Sequence, residues 1–123
     1  MAVHGLDHVN IDTDRLDATV AFYGEVLGLE VRPKPSGNPG VWLYAGDRAV
    51  VHVNVVAERA EIPSTGAFNH VAFDATDVDG LVTSLAEAGH PHEVSTRLDL
   101  GIAQVLTTDP NGVAVELNVP IEG

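Results

Sequence analysis

The chain has 123 residues, 18 of them acidic and 6 basic, for a formal net charge of -12 with histidines neutral, and it contains no cysteine. That length suits one compact domain with a single core, and the charge argues against a phosphate-tracking nucleic-acid surface. The missing thiols exclude disulfides, thiol nucleophiles and thiolate metal sites, and with no bilayer-length apolar stretch and no signal-peptide pattern the expected location is cytoplasmic.

Residues 5–12 alternate apolar and polar as a strand does, and Asp14 is expected to cap a helix over 15–27 that Gly28 closes. Leu16, Val20, Tyr23 and Leu27 recur at helical spacing and form its apolar stripe, with Phe22 and Tyr23 expected to pack rather than to touch substrate. A short strand over 29–32 leads into residues 33–40, a loop because its three prolines and two glycines remove donors and fix turn dihedrals. Strands over 41–44 and 49–56 flank a Gly46-Asp47 turn. Residues 57–67 are polar, carry Pro63, Ser64 and Gly66, and read as a linker. The pattern then restarts. A strand over 68–75 precedes a helix over 78–88, capped by Asp77 and stopped by Gly89, and a short strand surrounds Val94. Strands over 102–107 and 113–119 are joined by Asp109-Pro110-Asn111-Gly112. His90-Pro91-His92 follows a helix stop and reads as a solvated connection, and His4 as a surface residue.

Each half is therefore βαβββ, and the halves resemble each other in sequence. Leu6-Asp7-His8-Val9-Asn10 matches Phe68-Asn69-His70-Val71-Ala72, and Val51-His52-Val53-Asn54-Val55 matches Val115-Glu116-Leu117-Asn118-Val119. A period of about 60 residues present twice indicates a duplicated supersecondary unit rather than an open array. The expected fold is α+β, one domain over 1–123 made of modules 5–56 and 68–119, with a curved mixed sheet around a cleft. Because strand residues two apart share a face, His8 and Asn10, His52 and Asn54, His70 and Asp74, and Glu116 and Asn118 point away from the helix-covered side. If the sheets curl toward each other, these imidazoles and this carboxylate converge on a divalent cation.

The repeat, the helix Ala21-Phe22-Tyr23-Gly24-Glu25-Val26-Leu27-Gly28-Leu29 and the closing Asp109-Pro110-Asn111-Gly112-Val113-Ala114-Val115-Glu116-Leu117 resemble the vicinal oxygen chelate superfamily over essentially the whole chain. That superfamily includes glyoxalase I, methylmalonyl-CoA epimerase, extradiol dioxygenases, fosfomycin resistance enzymes and bleomycin-binding proteins. The resemblance implies metal ligands on the first, fourth, fifth and eighth strands, which here are His8, His52, His70 and Glu116. His52 departs from the pattern, since glyoxalase I enzymes usually carry glutamate there and the epimerases glutamine. It is either a fourth ligand, or a general base or substrate hydrogen-bond partner on a centre of two histidines and one carboxylate.

The implied cofactor is a divalent metal ion: iron, nickel, cobalt, zinc or manganese. The leading expectation is a glyoxalase I-like lyase or isomerase with Glu116 or His52 as base. The alternatives are an extradiol-type Fe(II) dioxygenase and a non-catalytic antibiotic-binding protein. Asn10, Trp42, Tyr44, Asn54, Gln104, Arg97 and Asn118 are candidate contacts to a small-molecule substrate, set against plain packing or solvation of a polar sheet face. A module of about 50 residues has a small core, and two still leave an open edge, so a homodimer is expected. In short-chain relatives sites often form between subunits, which would draw His8 and His52 from one chain and His70 and Glu116 from another.

Overall fold

A computed structural model describes residues 5–35, 37, 39–57 and 68–121. The fold is α+β, and the chain divides into two compact units, Met1–Ala60 and Glu61–Gly123. In the first, β1 (Val9–Thr13), α1 (Leu16–Val20), a π-helical segment (Ala21–Val26), β2 (Glu30–Pro33), β3 (Gly40–Ala45) and β4 (Arg48–Val55) follow in order. In the second, β5 (His70–Asp74), α2 (Val78–Glu87), β6 (His92–Arg97), β7 (Ile102–Thr108) and β8 (Ala114–Pro120) repeat the scheme. Most of the linker region, residues 58–67, and His4 lie outside the described residues.

Each unit holds one four-stranded mixed sheet, ordered β1-β4-β3-β2 and β5-β8-β7-β6. The first strand of each unit runs parallel to its last, Asn10 opposite His52 and Ala72 opposite Glu116. The remaining pairings are antiparallel. Alternation divides the faces as the sequence predicts. Ile11, Leu43, Val51 and Val53 are buried in the first unit, as are Val71, Val105, Val115, Leu117 and Val119 in the second. Each fully buried aliphatic side chain contributes about 1.5–3 kcal/mol, so these rows fix which face is left for chemistry.

The first helix departs from expectation at its start and in its middle. Asp14 does not cap it, and the residue at the cap position, Arg15, makes no side-chain cap hydrogen bond. Instead the buried Thr13 hydroxyl accepts from the Arg15 N–H at 2.8 Å and lies 3.2 Å from the Thr19 hydroxyl, which donates to the Arg15 carbonyl. A hydroxyl inside the core meets those groups without bringing a charge into it. Beyond Val20 the helix widens into the π segment, and the wider turn points two successive residues inward. Phe22 and Tyr23 are both fully buried and meet edge to face at 4.9 Å. Gly28, at φ +86, ends the helix as predicted.

In the second unit Asp77 caps α2 as expected, its carboxylate accepting from the Gly80 N–H at 3.1 Å. The connection read at residues 90–92 is shorter than predicted, because His92 already belongs to β6. There the Thr107 hydroxyl donates to the Pro91 carbonyl, and His92 Nδ1 lies 2.9 Å from the His90 carbonyl.

Candidate functional site

The polar face of the first sheet carries His52 and Asn54 on β4, Asn10 and Asp12 on β1, and Trp42 on β3 in register with His52. His52 lies between two flat neighbours. Its ring stacks on His8 at 3.7 Å, with planes 11° apart, and on Trp42 at 4.0 Å, with planes 13° apart. Burial, foremost, and then the positive charge available to His8 hold the His52 pKa below the usual imidazole value, with Lys34 adding to the effect. A hydrogen bond to the Ala49 backbone and the Asp7 carboxylate act the other way. The balance favours a neutral imidazole, the form that accepts a proton or ligates a metal. The His8 and His52 rings are nearly parallel, so their in-plane lone pairs run side by side, and joint ligation of one ion requires one ring to turn.

A directed hydrogen-bond chain crosses the same face. The Lys34 ammonium donates to Asn54 Oδ1 at 2.6 Å, Asn54 Nδ2 donates to Asn10 Oδ1 at 2.9 Å, and Asn10 Nδ2 donates to Asp12 Oδ1 at 2.9 Å. Two amides thus link an ammonium to a carboxylate, and Asn10 and Asn54 are held by each other. Tyr44 lies beyond a register shift after Leu43 and receives the Arg32 guanidinium over its ring at 4.2 Å. A concavity of about 350 Å³ is lined by Asp7, Trp42, Tyr44, Asp47, Arg48, Ala49 and His52.

On the polar face of the second sheet, His70 Nε2 lies 3.5 Å from Glu116 Oε2. Gln104 Nε2 points between Glu116 Oε2 at 3.5 Å and Asn118 Oδ1 at 3.2 Å. The Glu116 side chain retains 23% exposure, so solvent, His70 and Gln104 share the task of satisfying this carboxylate. Arg97 closes β6 and is held by Asp99 through two contacts, Nε to Oδ1 at 3.1 Å and Nη2 to Oδ2 at 2.8 Å.

The four expected ligands therefore come as two pairs, His8 with His52 and His70 with Glu116. Among the described residues no group of three or more His, Asp or Glu side chains is gathered in a way that could hold a metal ion. The His70–Glu116 pair fits such a group nonetheless: donors about 2.0–2.2 Å from one ion at a tetrahedral angle stand about 3.4 Å apart, against 3.5 Å here. Three polar residues escaped the sequence reading. Lys34 was assigned to a loop, while Asp7 and Asn69, which touch the Nδ1 atoms of His8 and His70 at 2.6 and 2.8 Å, were visible only as matched positions of the repeat.

The Glyoxalase/Bleomycin resistance protein/Dioxygenase superfamily model matches residues 5–117. The chain belongs to this superfamily. Members commonly use divalent metals and bind small molecules such as substrates or antibiotics. No curated protein matches the chain in sequence. Among solved structures, a glyoxalase family protein from Bacillus anthracis is 25% identical with a TM-score of 0.76, covering 98% of both chains. The trypanothione-dependent glyoxalase I of Leishmania major is 22% identical with a TM-score of 0.73, over 95% of this chain and 87% of that one. The antibiotic-binding protein TnmS3 from Streptomyces sp. CB03234 is 19% identical with a TM-score of 0.70, over 98% of both. The latter two share the fold of this superfamily member. No helix among its described residues is long and apolar enough to cross a membrane.

Proposed function

We propose that this protein is a metal-dependent lyase or isomerase of the glyoxalase I type, catalysing proton transfer on a small substrate with adjacent oxygens. The observation that carries the reading is the His70–Glu116 pair, whose 3.5 Å separation is long for a strong hydrogen bond and right for two donors to one divalent ion. His8 is proposed as a further ligand, and His52 as either a ligand or a base. A divalent ion held there supplies Lewis-acid stabilisation of negative charge developing on the substrate oxygens.

The protein's own groups divide the remaining work. Glu116, or His52 held neutral beside Trp42, takes the proton from the carbon next to the carbonyl. Gln104, Asn118, Asn10, Asn54 and Arg97 are proposed to orient the substrate, with Trp42 and Tyr44 as its aromatic wall. We further propose a cytoplasmic homodimer, supported by the outermost strands that each four-stranded sheet presents, β1 and β2 in one and β5 and β6 in the other.

The test is metal content, followed by turnover. Protein purified without an affinity tag or chelator is expected to hold close to one nickel, cobalt, zinc or manganese ion per chain and to isomerise 2-oxoaldehyde hemithioacetals without oxygen. Iron together with oxygen uptake on a catechol would replace this reading with an extradiol dioxygenase. The stack of His8, His52 and Trp42 favours one second reading, a binder of flat ligands. That reading is left standing if neither metal nor turnover is found.

A further inference from the structure

The two histidines that open the repeats are each approached from the preceding residue by an oxygen. Asp7 Oδ2 lies 2.6 Å from His8 Nδ1, and Asn69 Oδ1 lies 2.8 Å from His70 Nδ1. An ionised carboxylate and an amide oxygen only accept, so in both pairs Nδ1 carries the hydrogen and donates it. With Nδ1 committed, the free lone pair of each neutral imidazole sits on Nε2, and in the second unit Nε2 is the atom that faces Glu116.

We infer that Asp7 and Asn69 are positioning residues, which lock His8 and His70 as Nδ1–H tautomers and leave Nε2 of each ring as the open donor atom. The inference rests on the metal reading above for its purpose and on these contacts for its geometry. An acceptor behind a ligating imidazole fixes ring orientation and tautomer and raises basicity, and its loss typically costs 10–100-fold in metal affinity. The pairs are not equivalent: a carboxylate withdraws the Nδ1 hydrogen more strongly than an amide, so His8 is the stronger donor of the two. The same offset, one residue before the histidine, occurs in both halves and makes the device part of the duplicated unit. Neighbouring side chains on an extended chain ordinarily diverge to opposite faces, so each contact requires the two side chains to turn toward each other.

The test uses the full chain with Asp7→Ala, Asp7→Asn, Asn69→Ala and Asn69→Asp. The Asp7 side chain is 87% exposed, so its loss leaves the core untouched. Long-range proton–nitrogen NMR on the metal-free protein at a pH where imidazoles are neutral is expected to show Nδ1–H for His8 and His70. The alanine variants should shift the affected ring toward the Nε2–H form, and the Asp/Asn exchanges should keep Nδ1–H, since either oxygen accepts. Zinc affinity is expected to fall about 10-fold in each alanine variant and to stay within about 3-fold in Asp7→Asn. Unchanged tautomers in both alanine variants, or wild-type zinc affinity in both, would overturn the inference. Should the wild-type chain bind no zinc, the metal reading fails, and the tautomers alone decide the role of Asp7 and Asn69.

Discussion

The imidazole of His52 lies flat on the indole of Trp42, ring centres 4.0 Å apart and planes 13° from parallel. The contact helps to exclude water from a ring whose pKa is lowered chiefly by burial, then by His8, with Lys34 adding to them and Asp7 opposing. In the metal-free protein His52 should therefore stay neutral to a pH below the ordinary imidazole value of about 6.5. The linkage has a definite sign. The unfolded chain takes up the proton first as pH falls, so the stability this ring contributes is complete above about pH 6.5 and declines as pH falls toward the folded-state pKa. Trp42→Ala should raise the His52 pKa, and an NMR titration of the ring protons in the two proteins checks it. A pKa that does not move would show that Trp42 contributes nothing to the burial.

Removing either member of the His70–Glu116 pair should cost more metal affinity than removing a group behind a ligand, which is about 10–100-fold. His70→Ala and Glu116→Gln are the variants, and calorimetric titration with zinc or nickel is the measurement. Glu116→Gln keeps the size of the side chain and a partner for Gln104, so its thermal midpoint should stay close to wild type while metal binding is lost. Equal losses in stability and in metal binding would mark Glu116 as a structural residue.

Gly40 begins β3 opposite Asn54, and a β-carbon there would stand 1.9 Å from the Val53 carbonyl oxygen. No side-chain rotation relieves a collision with backbone, so β3 must move away from β4. Gly40→Ala is expected to destabilise the protein by about 2 kcal/mol or more, in the range of overpacking strain. Trp42 lies two residues along the same strand, so its fluorescence should change with the shift, and denaturant unfolding followed by that signal measures both effects.

The doubled βαβββ pattern was legible because period-two alternation is strict in Val51-His52-Val53-Asn54-Val55 and Val115-Glu116-Leu117-Asn118-Val119, and one buried face leaves little freedom of register. The π segment was not, since Leu16, Val20, Tyr23 and Leu27 fit an ordinary helix until Phe22 is also found buried. Asp14 looked like the cap because carboxylates suit that position. The buried pair Thr13 and Thr19 does the work instead, which no local rule reveals. The facing of His52 and Glu116 followed from alternation, whereas the stack on Trp42 depends on strand pairing and the Lys34–Asn54 contact joins residues 20 apart in sequence.

Asp109 is buried, and its Oδ1 accepts from the backbone N–H groups of Asn111 and Val113 at 2.8 and 2.9 Å, shaping the turn from β7 into the strand that carries Glu116. Asp109→Ala strands one buried and one half-buried donor and should cost about 1–3 kcal/mol. Asp109→Asn retains an accepting oxygen and should recover most of the loss. Thermal unfolding of the two variants separates these outcomes, and equal destabilisation would show that the charge, rather than the acceptor, matters.

The pairing of each unit's first strand with its own last strand closes both hydrogen-bond ladders on their own side of the linker. Among the described residues no strand of one half pairs with a strand of the other. During synthesis the leading half can complete its sheet while the trailing half is still being translated. A duplicated module wired in this way keeps the hydrogen-bond ladder of each half independent of the other.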